Sequence, residues 1–331
     1  MTLARNLIGY GRKRPGIRWP NGARVAVSLT VNFEEGAELS IEQGDTETER
    51  FGEAPSVQPL GVRDLPQEQM FDYGTRVGFW RFMEALDRRK MAATVQMCGR
   101  AVERTPELAR FAVEAGHEPL AHGWRWLPHS RYVDPELEKQ DLIRTQSTIQ
   151  KATGVVPTGF LCRGGQSPWT RDLLAELGFA HDSNSLDDEL PYWAECSEGR
   201  RIVVVPYCFD TNDMRYWYPN GFIRPDDFAV YTLAAVDRLV KEAEEGKSSM
   251  LTIGFHLRIS GRPARFGAVE QVLERLSDIP GKVWIATRGE IARHFAAHVG
   301  VDAAPLVARY KPSLLAPIVA PAQAVDGPRV E

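Results

Sequence analysis

Residues 24–33 read RVAVSLTVNF, and two acids, Glu34 and Glu35, follow at once. A short Val-rich run of this kind predicts a buried strand. Outward from it the same theme returns. Short strands are predicted over 93–97, 118–121, 159–161, 179–183, 202–205, 250–255 and 282–286. Helical periods are predicted over 73–90, 105–115, 135–153, 170–177, 225–244, 266–276 and 288–297. Strand and helix alternate without an obvious break, which implies parallel strands joined by helical crossovers. About seven or eight such units suit an α/β barrel of the (β/α)7-8, TIM-like kind. No G-x-G-x-x-G follows the first strand, which argues against an open dinucleotide-binding sheet.

The chain of 331 residues is 43% hydrophobic and 25% charged, with a net charge of −4. Such a composition builds a large core, and the slight acidity without a basic block speaks against nucleic-acid binding. No apolar run approaches a membrane span, and no signal-peptide pattern follows the basic residues before Gly16. The four cysteines, Cys98, Cys162, Cys196 and Cys208, are scattered and fit reduced thiols in a cytoplasmic protein. Residues 1–300 are expected to form one catalytic barrel. Residues 37–70, acidic and carrying Pro55, Pro59 and Pro66, are expected to be a long surface loop or lid. Residues 301–331 form an Ala-, Pro- and Val-rich tail, either disordered or an arm on a neighbouring subunit.

Barrel chemistry gathers at the C-terminal ends of strands. Those ends here carry Glu34 and Glu35, then His122, then Arg163, then Asp210 and Asp213, then His256. A carboxylate that activates water and a histidine that protonates a leaving nitrogen make a general acid–base pair. Trp124, Trp126, Trp169, Trp193 and Trp217 also fall near strand ends, where some would line a pocket and others simply fill the core. Cys162, beside Arg163, is a nucleophile candidate against the commoner reading of an inert buried thiol. Asp213 and Arg215 read as a structural ion pair, and Arg258 as a partner for a substrate carboxylate or ureide or for a neighbouring subunit.

The order N-F-E-E-G at 32–36, H-G-W-R-W at 122–126, Arg163, D-T-N-D at 210–213 and G-F-H-L-R at 254–258 resembles the polysaccharide deacetylase superfamily. Within it, the resemblance is strongest to the cofactor-independent bacterial allantoinases and cyclic imide hydrolases. The matches Y-G-T-R-V-G from Tyr73, D-D-E-L-P-Y-W from Asp187 and G-R-P from Gly261 belong to that branch. The resemblance implies that Glu34 and Glu35 stand where the superfamily carries a catalytic base and a metal-binding acid. His122 stands where it carries the first of two histidine ligands. Trp126 takes the place of the second, and an indole N–H cannot ligate a cation. Glu35 and His122 alone fall short of the three protein ligands of a usual zinc site. His129, beyond Pro128, is a remote replacement.

The resemblance therefore implies a metal-free cytoplasmic hydrolase that opens a cyclic amide such as allantoin, a cyclic imide or a related ureide. Glu34, Glu35, Arg163 and His256 are the expected catalytic residues. His122, Trp124, Trp126, Cys162, Gln166, Trp193, Asp210 and Arg258 are the expected substrate-binding residues. Relatives in the branch assemble, so a homodimer or homotetramer is expected. The rival readings are a deacetylase dependent on zinc or another divalent metal and a catalytically inactive binding protein of the same fold.

Overall fold

The computed structural model describes residues 6–307. Its centre is β1 (Val25–Phe33), all of whose residues are buried. Strand alternation sends Val25, Val27, Leu29, Val31 and Phe33 into the main hydrophobic core and turns Ser28, Thr30 and Asn32 to the opposite face. Parallel partners surround β1: β2 (Thr94–Met97), β8 (Ser249–His256) and β9 (Val283–Ile285). The register sets Asn32 level with both Gln96 and His256, so the strand-end residues converge. The sheet continues through β3 (Glu118–Ala121), β4 (Gly159–Phe160), β5 (His181–Asp182), β7 (Arg201–Val204) and β6 (Tyr192–Glu195), in the order β6-β7-β5-β4-β3-β2-β1-β8.

Helices α1 (Leu65–Tyr73), α2 (Phe79–Arg88), α3 (Gly99–Arg104), α4 (Pro106–Glu114) and α5 (Pro135–Thr153) come before β4 in the chain. After it come α6 (Thr170–Glu176), α7 (Asp227–Glu244), α8 (Pro263–Ser277) and α9 (Arg288–Val299). Amphipathic α2 shows how they attach: Phe79, Phe82, Met83 and Leu86 share its buried face. Start signals fix several ends. Asp134 caps α5 through the Glu136 N–H, and Thr287 and Glu290 form a capping box at α9.

The sheet is a curled half-barrel rather than a fully laddered ring. After β7, Pro206 has no N–H to continue a ladder. Residues 205–212 cross the gap irregularly and meet β8 through a β-bridge, Asn212 to Gly254, and through side-chain hydrogen bonds of Thr211 and Thr252. Two further features escape the sequence reading. β6 runs antiparallel to β7. The helix predicted over 73–90 is interrupted by a π-helical turn at Gly74–Gly78. A Cβ on Gly74 would collide with the Glu35 carboxylate, and one on Gly78 with the Leu257 carbonyl. Wide π turns are often found beside functional sites.

Residues 37–64 run over the strand ends as an excursion held by ion pairs, with α1 at its end. The described start of the tail runs along β6, where Glu195 N–H donates to Val307 O at 3.0 Å. Its remainder lies outside the described residues. No helix among the described residues is long and apolar enough to cross a membrane.

Candidate active site

Glu34 directly follows β1 with its side chain only 1% exposed, yet it lines a pocket of about 80 Å³ at the mouth of the barrel. Asn32, His122, Trp126, Cys162, Arg163, Gln166, Tyr207 and His256 are among the other walls. The Nε2 atoms of two histidines converge on Glu34 Oε1, His122 at 3.1 Å and His256 at 3.6 Å.

The other ring nitrogens define the proton inventory. His122 Nδ1 lies 2.7 Å from Leu161 O, and a carbonyl only accepts, so Nδ1 carries a proton. The His122–Glu34 contact therefore requires a second proton shared by that pair. His256 Nδ1 donates to Asp213 Oδ1 at 2.6 Å. Asp213 Oδ2 accepts the backbone N–H groups of His256 at 2.8 Å and Ser260 at 3.2 Å. Asp213 thus orients the ring and leaves His256 Nε2 facing the pocket.

On the buried side, Arg258 Nη1 reaches Glu34 Oε2 at 2.7 Å and Glu35 Oε1 at 3.3 Å. Burial alone would raise the Glu34 carboxyl, but Arg258, His256 and His122 outweigh it and hold Glu34 well below the usual carboxylate range. Glu35 behaves in the opposite sense. Burial and the Glu34 charge push it up despite Arg258. It accepts the Glu34 N–H at 3.1 Å, lies against Gly74 and is not part of the pocket wall. Between the two acids, Glu34 is the one that reaches the pocket.

Arg163 does line the pocket, but its guanidinium is occupied. It donates to Glu49 Oε2 at 2.6 Å and to Trp126 O at 3.1 Å, and it stacks 3.5 Å from the Trp126 ring centre. The carboxylate it steadies here is the chain's own Glu49, from the excursion. Cys162 sends both its N–H and its S–H to Asn184 Oδ1, and burial pushes the thiol up, which argues against a thiolate nucleophile. Gln166 Oε1 is buried in this region without a donor from the described residues.

Four of the expected substrate contacts lie elsewhere. Trp124 packs outside the sheet between α3 and α5, against Gly99 and under Arg144, because its neighbour Gly123 turns the chain at positive φ. Trp193 belongs to a separate core cluster with Phe295. Asp210 is exposed and bound to Cys208 and Tyr231. Arg258 sits behind the acids, 1% exposed. Asp213 pairs with His256, which corrects the expected pairing with Arg215. The spacing D-T-N-D at a strand end carried that signal, but only the fold shows which acid turns inward. Tyr207, Asn212 and Asn184, also missed, complete the polar wall.

The residues present do not fit a divalent metal. Glu35 faces its own backbone and Arg258 rather than His122, and Trp126 offers no lone pair. The charge opposite the acids is already a guanidinium. His129, the remote replacement, is held by Glu138 at 2.8 Å in a buried network with Ser167 and Thr170. No cluster of three or more His, Cys, Asp or Glu arranged for a metal occurs among the described residues.

A buried carboxylate flanked by two histidines thus stands at the strand ends of a curled, mostly parallel sheet. Residues 68–181 match the sequence profile of the polysaccharide deacetylase family. A Schizosaccharomyces pombe protein that carries that family's name is 35% identical over 317 residues, spanning 90% of this chain and 98% of its own. A Pseudomonas aeruginosa PAO1 crystal structure assigned to the same class matches at TM-score 0.82 and 39% identity, covering 89% of this chain and 98% of that one. The crystal structure of Puue allantoinase matches at TM-score 0.84 and 38% identity, covering 90% and 98%. The chain belongs to the polysaccharide deacetylase family and is a hydrolase of that superfamily.

Proposed function

We propose that the protein is a cytoplasmic hydrolase that opens the C–N bond of a small cyclic amide, a ureide or an imide, without a metal. The observation that carries this reading is the convergence of His122 Nε2 and His256 Nε2 on Glu34 Oε1 inside a pocket of about 80 Å³. In the proposed reaction Glu34 accepts a proton from water as the oxygen attacks the ring carbonyl. The proton passes to His256 Nε2 and then to the departing ring nitrogen as the C–N bond breaks. Every proton is accounted for and Glu34 returns to its ionised state. Asp213 keeps the His256 proton on Nδ1 so that Nε2 is free to relay. His122, held by Leu161 O through Nδ1, fixes the Glu34 carboxylate through Nε2, with Trp126 and Arg163 as the wall.

Two features favour a ring amide over an acetylated sugar. The pocket, about 80 Å³, suits a small molecule, and Gln166, on its wall, has a buried Oε1 without a donor among the described residues that an imide or ureide N–H could supply once the loop shifts. The likeness to an allantoinase structure supports the same class. A strained or electron-poor ring carbonyl also needs less activation than an acetamide where hydrogen-bond donors replace a Lewis acid.

The test is a hydrolysis screen over allantoin, hydantoins, succinimides, lactams and acetylated amino sugars, with and without chelator. Turnover of a ring substrate that persists in chelator is expected. Glu34→Gln should lower kcat on the best substrate about 10²–10⁴-fold. Activity lost in chelator and restored by zinc would replace this reading with the metal-dependent one, and no turnover of any compound would replace it with a binding protein.

A further inference from the structure

Consecutive carboxylates buried together are costly unless a cation stands beside them. Glu34 and Glu35 have side-chain exposures of 1% and 2%, and a single nitrogen, Arg258 Nη1, bridges them at 2.7 and 3.3 Å. A structural arginine usually forks onto one carboxylate with two parallel bonds. Arg258 does not. Its Nε and Nη2 are buried without partners among the described residues. Its guanidinium carbon instead lies 4.4 Å from the Phe71 ring centre, 4.5 Å from Trp126 and 5.3 Å from Trp217. Three π faces and two carboxylates form a receptor for a cation, and the chain fills it itself. The guanidinium takes no part in the pocket wall, so it acts on substrate through Glu34.

We infer that Arg258 is a positioning residue, an internal cation that fixes the Glu34–Glu35 pair in the geometry from which Glu34 reaches water. Its place also lets the receptor be emptied and refilled. Arg258→Ala leaves the carboxylates and the three rings around a space shaped for a guanidinium, whereas Arg258→Met fills that space without charge.

The activity arm of the test rests on the reading of Glu34 as the base, and the binding arm does not. The wild-type chain, Arg258→Ala, Arg258→Met and Arg258→Lys are compared with methylguanidinium chloride as the probe, at concentrations too low to denature. Both uncharged variants should lose about 100-fold in kcat with a much smaller change in KM, and Arg258→Lys should recover part of it. Methylguanidinium should raise the melting temperature of Arg258→Ala and return about tenfold or more of its kcat, and do neither for Arg258→Met. The inference is overturned if Arg258→Met stays within a few-fold of wild type. It is equally overturned if methylguanidinium restores the stability of Arg258→Ala but none of its kcat, since the arginine is then only structural. If the wild-type chain turns over no ring amide, the proposed function fails on its own. The melting shift then decides: selective stabilisation of Arg258→Ala supports the receptor, and its absence rejects it.

Discussion

Among single residues, Glu38 offers a clean electrostatic test close to, but outside, the pocket. It accepts the Gly36 N–H at 2.6 Å, and burial pushes its carboxyl up to about 7. Gly36 is itself required, because its φ of 91° lies in the left-handed region and Arg104 crowds the position. A carboxyl whose folded value lies above its unfolded one binds its proton more tightly in the native state. Glu38 therefore costs nothing below about pH 4.5, and its penalty grows as the pH rises to about 7 and then levels off. The full difference corresponds to about 3 kcal/mol. Glu38→Gln should remove it: the variant should gain on wild type between pH 5 and 8 in urea titrations, with little difference below pH 4.5. Equal pH dependence in both proteins would show that Glu38 does not titrate across this range.

The excursion over the strand ends is the element whose loss should matter most. Its ties are polar and specific. Arg265 forks onto Glu53 at 2.7 and 2.6 Å, and Glu53 Oε2 also accepts Trp217 Nε1–H at 3.0 Å. Trp217 is one wall around the Arg258 guanidinium, so Glu53 links the excursion to the acids. The Glu53–Arg265 pair is partly exposed and worth little in global stability. Its effect should be local. Glu53→Ala should speed amide exchange over residues 48–64 and lower kcat/KM about tenfold, with the melting temperature nearly unchanged. Unchanged exchange there would rule out this latch.

Elements also differ in how far they could be read from sequence. Residues 24–33 and 135–153 were legible because a Val-rich run and an Asp-Pro start with a Gly stop are local signals. β6 was not, since Tyr192–Glu195 becomes a strand only by pairing with β7 and with Val307. Glu34, His122, Arg163 and His256 come to one pocket because strand ends converge in this architecture. Trp124 and Trp193 were misplaced for want of side-chain direction, which one positive-φ glycine or one strand face reverses. Asp213 reads in sequence as the partner of nearby Arg215, yet its partner, His256, lies 43 positions away.

For the molecule as a whole, the open question of a half-barrel is what keeps its two edges together. Among the described residues one β-bridge, Asn212 to Gly254, joins them, helped by Thr211 Oγ1–H on Thr252 O at 2.6 Å, and Asp213 and His256 of the candidate site lie just beyond the bridge on the two sides. Arg288, fully buried at the start of α9, supplies the missing ladder. Its Nε donates to Ser183 Oγ at 2.9 Å, Nη1 to Thr252 Oγ1 at 2.7 Å, and Nη2 to the carbonyls of Pro206 at 2.9 Å and Val205. It thereby ties β8 to the irregular crossing segment. Arg288→Met sets two effects against each other. Burial lowers the arginine to about 10 from 12.5, so carrying the charge costs about 3 kcal/mol, which the substitution relieves. Against this, Pro206 O keeps Thr252 Oγ1–H at 3.3 Å and Ser183 Oγ keeps His181 Nδ1 at 3.2 Å, so about two acceptors are left bare, at about 1–3 kcal/mol each where water cannot reach them. The second effect wins, but by a modest margin, so a global loss of about 1–3 kcal/mol is expected rather than unfolding. The decisive signature is spatial. Amide exchange should quicken over 205–213 and 250–256 while β1 to β3 stay protected, and kcat should fall with the loosened Asp213–His256 pair. Uniformly faster exchange across the sheet would mean that Arg288 stabilises the barrel as a whole, and that something else holds its seam.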